Sequence, residues 1–88
     1  MAEDFNNKQI FLKKLTYRSK YTGSKETDLL LGKFAEFHLP KLTFKELVAY
    51  EKLLTTGDPR IWKLSVNLEY THNEKEKKLI NLIKKFVD

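Results

Sequence analysis

The chain of 88 residues contains no cysteine. This absence excludes disulfide bonds and thiolate metal ligands, and it favours a reducing compartment because small secreted domains usually depend on disulfides. Only two histidines are present, and no HExxH or GxGxxG pattern occurs. We therefore predict no catalytic residue, no metal site and no cofactor of the protein's own. No run of residues approaches the roughly 18–20 apolar residues of a membrane span, so we expect no membrane insertion.

The small number of helix-breaking residues indicates a helical fold. Only two prolines and three glycines interrupt the chain. Strict alternation of apolar and polar residues is nearly absent, which argues against strands. A chain of this length forms one domain with a modest core. We predict an all-α fold, a small five-helix bundle in a single domain of residues 1–88, with residues 1–6 as a flexible N-terminus.

Periodicity predicts the first helix from about Asn7 to Lys20. It carries two apolar stripes, one of Phe11, Leu12 and Leu15, the other of Ile10, Tyr17 and Tyr21. Two stripes are typical of a helix that packs on its own core and presents a second face to something else.

Capping residues predict where the other helices begin. Each start combines a side-chain cap with an apolar pattern, and the predicted caps are Ser24, Thr43 with Glu46 in a capping box, Asp58 before Pro59, and Asn73 in a weaker box. The second helix closes at Pro40, the third ends at about Thr55, the fourth runs from about Pro59 to Asn67, and the fifth ends at about Val87. Trp62 and the apolar stripe of the fifth helix are predicted to lie in the core, His38 at its boundary and His72 in solvent.

The charge of the chain is basic, with a formal net charge of +5 and 17 lysines and arginines against 12 acids. Such a surface attracts anionic partners, although lysines spread over every helix also fit a solvated coat. The N-terminus, Met1–Phe5, lacks an apolar run and reads as neither a signal nor a transit peptide. Lysine far outnumbers arginine, which suggests an A/T-rich bacterial genome. We therefore predict a cytoplasmic bacterial protein.

The segment from Thr22 to Pro40 resembles the signature of the SdhE family, also called succinate dehydrogenase assembly factor 2. The family pattern is Arg-Gly-x-x-Glu-x-Asp, followed by an apolar helix that ends near Leu-Pro. Gly23, Glu26 and Asp28 match this pattern, whereas Thr22 occupies the position of the family's arginine. The resemblance continues upstream through Tyr17-Arg18-Ser19, and downstream through Tyr50-Glu51-Lys52-Leu53-Leu54 and Asp58-Pro59. The family's tryptophan falls two positions after Trp62, where this chain has Leu64.

This resemblance implies a non-enzymatic assembly factor, free as a monomer, that binds the flavoprotein subunit of succinate dehydrogenase or fumarate reductase. It would promote covalent attachment of FAD to a histidine of that partner, so FAD belongs to the partner. The implied contact residues are centred on the motif: Gly23 and Glu26, flanked by Lys14, Arg18, Tyr21, Thr22, Ser24, Lys25 and Asp28. Gly23 as a helix stop, and Glu26 and Asp28 as acids favoured by the helix dipole, also have purely structural explanations.

The alternative hypothesis is a small basic helical protein that binds nucleic acid, because short helices with tight turns can imitate a helix-turn-helix. Against it, the helix after Gly23 begins with Glu26 and Asp28. Acids at the start of a recognition helix would repel phosphate.

Overall fold

Five α-helices lie within the part of the chain that the structure describes, and no strand occurs there. The computed structural model describes residues 2–87, with side chains over residues 7–86. In chain order the helices are α1 (Ala2–Lys20), α2 (Lys25–His38), α3 (Phe44–Thr55), α4 (Asp58–Ser65) and α5 (Glu74–Val87), with a 3-10 turn at Leu39–Lys41. The predicted all-α, five-helix fold is confirmed. Within residues 2–87, no helix has both the length and the hydropathy needed to cross a bilayer.

The first helix begins earlier than predicted. It starts at Ala2 rather than at about Asn7, so the backbone of residues 2–6 is helical. Once a helix is nucleated, each further residue adds a hydrogen bond at little cost, and the helix extends beyond its periodic segment. Met1 lies outside the described residues. The flexibility of residues 1–6 and the single-domain boundary at residues 1–88 stay predictions.

Side-chain caps set the starts of α2, α3 and α5 as the sequence predicts. Ser24 accepts a hydrogen bond from the Thr27 N–H at 3.3 Å. The capping box of α3 is complete, because the Thr43 N–H donates to Glu46 at 2.9 Å and the Glu46 N–H donates back to Thr43 at 3.2 Å. Asn73 also caps α5, by accepting from the backbone N–H groups of residues 75 and 76.

The start of α4 differs from the prediction. The helix begins at Asp58 itself, its N-cap is Gly57 with φ of +95°, and no side chain caps it. The Asp58 carboxylate instead lies near Gly23 in the turn before α2, with Oδ1 3.3 Å from the point where a Cβ on Gly23 would be. The fourth helix also ends at Ser65 rather than Asn67, where φ is +64°. A left-handed residue of this kind stops a helix.

One apolar cluster joins all five helices. Its fully buried members include Leu15, Leu31, Phe34, Leu47, Tyr50, Leu53, Ile61 and Ile83. The first stripe of α1 packs here, since Leu12 and Leu15 are buried and the Phe11 ring lies 5.5 Å from the Phe44 ring. The stripe of α5 is buried at Leu79, Ile80 and Ile83, while the side chain of Val87 lies outside the described residues.

Trp62, predicted to lie in the core, is at the surface. Trp62 is 38% exposed, whereas Leu64 is 2% exposed. Two residues correspond to about 200° around a helix, so a core position at Leu64 turns Trp62 outward. Phe37 on α2 is 62% exposed, because α2 packs through the face of Leu31, Phe34 and Ala35.

Candidate functional site

The turn of residues 21–24 joins α1 to α2 and contains the predicted glycine. Gly23 has φ of +127°, a conformation that favours glycine. A Cβ at this position would lie 3.3 Å from Oδ1 of Asp58, at the start of α4. The turn therefore needs a glycine for its backbone conformation and has little room for a side chain on the Asp58 side. The sequence did not reveal the contact with Asp58, because the two residues are far apart in the chain.

A pair of hydrogen bonds holds this turn onto α2. The Thr22 N–H donates to Oδ1 of Asp28 at 2.5 Å, and the Thr22 hydroxyl donates to the same oxygen at 2.6 Å. The bond from the hydroxyl has the larger effect, followed by the bond from the N–H, and both lower the pKa of the Asp28 carboxyl below its ordinary value. Asp28 therefore has two structural roles. It holds the turn of residues 21–24 through its bonds to Thr22, and it lies in the first turn of α2, where the helix dipole favours an acid. The backbone bond is open to any residue except proline, so it accommodates the arginine that the family pattern places here.

The motif residues Ser24, Lys25 and Glu26 have different environments. Ser24 is half-buried and caps α2, and its hydroxyl also donates to Thr27 at 2.8 Å. Lys25 and Glu26 are exposed in the first turn of α2. Glu26 therefore presents a carboxylate at the surface beside the Gly23 turn.

The second apolar stripe of α1 is exposed, as the two-stripe pattern predicts. Ile10, Tyr17 and Tyr21 are exposed to 54%, 66% and 67%. The two tyrosine rings pack against each other with centroids 4.7 Å apart. Lys14 lies on the same helix face, since positions 10, 14, 17 and 21 follow the spacing of neighbours on a helix. This face leads directly to the Gly23 turn.

Arg18 is directed to the side of α1 that faces α3. Its guanidinium lies 3.9 Å from the Glu51 carboxylate, and both side chains are nearly half exposed. A pair this long and this exposed contributes little to stability. Arg18 therefore lies between α3 and the exposed stripe.

The predicted contact residues thus fall into two neighbouring groups. Residues 21–26 and Asp28 form the turn and the first turn of α2, and Lys14 and Arg18 extend the surface along α1. Thr22 bonds to Asp28, and Ser24 bonds to Thr27. The exposed members are Lys14, Arg18, Tyr21, Gly23, Lys25 and Glu26. The participation of all nine in partner binding stays a prediction. Tyr17 belongs to the same surface and was not among them, although the second stripe contained it.

The histidines lie as the sequence suggests. His38 is half-buried, stacked on Phe34 with centroids 5.0 Å apart and edge-on to Phe86 at 5.4 Å. His72 is exposed in the segment before α5. In the part of the chain that is described, no three histidine, aspartate or glutamate side chains are grouped so that they could hold a metal ion.

Comparison with known proteins matches residues 13–87 to the family described as "Flavinator of succinate dehydrogenase". The chain is 42% identical over 82 residues to "Succinate dehydrogenase assembly factor 2, mitochondrial" of Caenorhabditis briggsae, covering 85% of this chain and 64% of that protein. It is 39% identical over 71 residues to the Dictyostelium discoideum protein of the same name, covering 81% of this chain and 50% of that protein. "FAD assembly factor SdhE" of Legionella pneumophila is 36% identical over 61 residues, covering 69% of this chain and 72% of that protein.

The chain spans half to two thirds of the length of the curated relatives from Dictyostelium discoideum, Caenorhabditis elegans and Caenorhabditis briggsae. No solved structure matches at the same level of significance. The predicted bacterial cytoplasmic location is contradicted, because relatives from Dictyostelium, two Caenorhabditis species and Komagataella phaffii are all named as mitochondrial. The excess of lysine over arginine was a poor guide to the source, since a lysine-rich composition is not confined to bacteria. The match over residues 13–87 confirms the family resemblance first seen in the segment from Thr22 to Pro40, and this chain belongs to the family of succinate dehydrogenase assembly factors described as "Flavinator of succinate dehydrogenase".

Proposed function

We propose that the protein is a non-enzymatic assembly factor that binds the flavoprotein subunit of succinate dehydrogenase, or of the related fumarate reductase. By binding, it promotes covalent attachment of FAD to a histidine of that subunit. The observation that carries this proposal is the family match over residues 13–87. FAD is assigned to the partner, where the bond-forming step takes place.

The shape of the Gly23 turn supports a contact with a protein partner. Because Gly23 lacks a side chain and is exposed, a partner backbone can approach it closely. Glu26 lies three residues further on and offers a carboxylate to a donor on the partner. The bonds from Thr22 to Asp28 fix the turn before binding, so that little conformational entropy is lost when the partner docks.

The exposed stripe of α1 supplies the apolar part of the proposed interface. Tyr17 and Tyr21 are the kind of residue that dominates interface energetics, because each buries a large ring and retains a hydroxyl for hydrogen bonding. Lys14 and Arg18 lie beside them and meet acidic groups on the partner, where such peripheral charges chiefly affect the rate of encounter.

A positioning role follows from this arrangement. The flavin supplies the reactive chemistry, and protein groups supply orientation and electrostatics. An assembly factor that binds one conformer of the flavoprotein more tightly than another shifts the population toward it. Such a protein accelerates flavin attachment without contributing a reacting group.

The proposal is tested with apo-flavoprotein, FAD and the purified protein. Flavin fluorescence that survives denaturation and electrophoresis measures covalent attachment. We expect faster labelling of the flavoprotein when the protein is present and no flavin on the protein itself. Labelling of the protein, or an unchanged rate, contradicts the proposal.

Glu26→Gln removes the proposed contact charge and keeps the side-chain size. If the only role of Glu26 is its favourable interaction with the dipole of α2, the variant loses about 0.3–1 kcal/mol of stability and binds the flavoprotein normally. We expect weakened binding with the fold intact, measured by thermal melts and pull-down on one sample. Glu74→Gln is the matched control, because Glu74 also lies in the first turn of a helix and its side chain is 88% exposed.

A second candidate, nucleic-acid binding, is favoured by one surface. Tyr17 and Tyr21 border a groove of about 700 Å³ along α1, and exposed rings near cations are typical of single-strand binding. Three lysines also line this groove, Lys8, Lys13 and Lys20. Against this candidate, Lys20 already pairs with Glu36 at 2.7 Å. This candidate is supported if the protein binds nucleic acid with an affinity that falls steeply with log salt and has no effect on flavin attachment.

A further inference from the structure

A second surface lies where α2, α4 and α5 border an open groove of about 550 Å³. Its walls carry large apolar side chains that the fold leaves partly uncovered. Leu29, Trp62 and Val66 are exposed to 60%, 38% and 39%, and Phe86 is half-buried at the α5 side. Apolar residues clustered in this way, rather than scattered singly, mark interaction sites on small soluble proteins.

The charge around this groove has one sign. Lys33 on α2 and Lys84 on α5 are among the lining residues, and no lining residue that the structure describes is acidic. Lys84 donates a hydrogen bond to the Asn67 side chain at 2.5 Å, which holds its ammonium at the edge between α4 and α5. A ligand that places carboxylates at the rim and apolar groups inside complements this surface.

The groove is continuous with the Gly23 turn. Glu26 precedes Leu29 by three residues, and Leu29 precedes Lys33 by four, so the three share one face of α2. On the other wall, Asp58 contacts the Gly23 position, and Trp62 lies one helical turn after it. Two walls of the groove therefore start at this turn: α2, which follows it in the chain, and α4, whose first residue lies against it.

We propose that this groove receives a segment of the flavoprotein partner that carries apolar side chains flanked by acidic ones. The inference rests on the proposed function and extends its interface from the Gly23 turn along α2 and α4. A peptide segment fits better than a small molecule, because small ligands are usually bound in cavities that bury most of their surface, and this groove is open. Trp62 is the apolar anchor, and Lys33 and Lys84 fix the acidic flanks.

The single tryptophan provides a direct readout. Protein labelled with 5-fluorotryptophan gives one ¹⁹F signal, from Trp62. We expect this signal to shift and broaden when apo-flavoprotein is added. A signal unchanged by a flavoprotein that binds overturns the proposal. A signal that instead shifts with the concentration of the labelled protein alone places a second copy in the groove and also overturns it.

Two variants test the chemistry of the occupant. Lys33→Glu reverses a lining charge, and we expect about tenfold weaker binding at low salt, with a smaller effect at high salt. Lys52→Glu is the matched control, an exposed lysine of α3 that does not line the groove. Leu29→Gln removes apolar contact from an exposed helix position where folding is not at risk, and we expect about tenfold weaker binding.

The outcomes separate this inference from the proposed function. If Lys33→Glu and Leu29→Gln bind and support flavin attachment as wild type does, whereas Glu26→Gln does not, the groove is not part of the interface and the proposed function stands. If the wild-type protein itself does not bind the flavoprotein, both fail together.

Discussion

Gly23 allows backbone strain to be separated from blocked approach. Gly23→Ala places a methyl group in a conformation with φ of +127° and 3.3 Å from the Asp58 carboxylate. A non-glycine residue held in such a region costs about 1–3 kcal/mol. For a domain of this size each kcal/mol lowers Tm by about 4–8 °C. We expect a clear loss of stability in thermal melts, whether or not Gly23 contacts a partner.

Gly23→D-Ala, introduced by chemical synthesis, removes the strain and places a methyl group in the direction of the other Cα hydrogen, not in the direction that meets Asp58. D-residues favour positive φ, so this variant is expected to melt close to the wild-type protein. If the interface needs close backbone approach at this position, its methyl group nevertheless weakens flavoprotein binding and slows flavin attachment. Calorimetric titration with apo-flavoprotein, corrected for the folded fraction, measures the binding part.

Gly57→Ala is the matched control for strain. Gly57 has φ of +95° outside the motif, and a Cβ there would meet only Pro59 Cδ at 3.7 Å. We expect this variant to lose stability like Gly23→Ala and to bind normally once the folded fraction is considered. The reasoning is refuted if Gly23→D-Ala, or a folded Gly23→Leu, binds and supports flavin attachment as well as wild type. The assignment of the turn as a contact site is then withdrawn.

Three further predictions concern single side chains. Thr22→Arg keeps the backbone N–H that holds the turn, so we expect a folded variant that supports flavin attachment; a folded variant that no longer binds contradicts this. Tyr50→Phe should lower the free energy of unfolding by about 1 kcal/mol in urea titration, because the Ser19 hydroxyl loses a buried partner at 2.6 Å; an unchanged midpoint contradicts this. Hydrogen bonds from Arg60 lower the pKa of the Glu76 carboxyl. The ion pair therefore stabilises the fold fully at pH values above the ordinary carboxyl pKa, and this stabilisation is lost as the pH falls through the lowered pKa of Glu76. Glu76→Gln should therefore reduce stability at neutral pH and lose this deficit in acid, as pH-dependent melts can show.

The helices were predictable because their signals are local. Thr43 and Glu46 form a reciprocal box within four residues, and Ser24 caps the helix that starts beside it. Such contacts depend only on sequence spacing, so α3 and α5 have the predicted bounds. The surface was also partly predictable, since the second stripe of α1 had no core to cover and is exposed at Tyr17 and Tyr21.

The remaining features depend on how distant segments meet. Nothing near Asp58 in the sequence indicates that its carboxylate lies against Gly23 rather than capping α4. Glu76 likewise bonds to Arg60 instead of completing a capping box with Asn73, because α4 brings a guanidinium within 2.9 Å. Trp62 was placed in the core by its hydrophobicity alone. Burial of Leu64, which fixes the orientation of α4, required the packed structure.

The division of labour within the motif follows from these contacts. The polar groups of Thr22, Ser24 and Asp28 form hydrogen bonds within the turn and at the start of α2. We therefore expect their substitution to change the shape of this surface. Gly23 and Glu26 are exposed on that prepared surface and can act on a partner directly. A turn fixed before docking loses less entropy on binding and discriminates better between two conformers of the partner. In the proposed interface the motif therefore presents a rigid exposed shape, which the hydrogen bonds of Thr22, Ser24 and Asp28 hold in place.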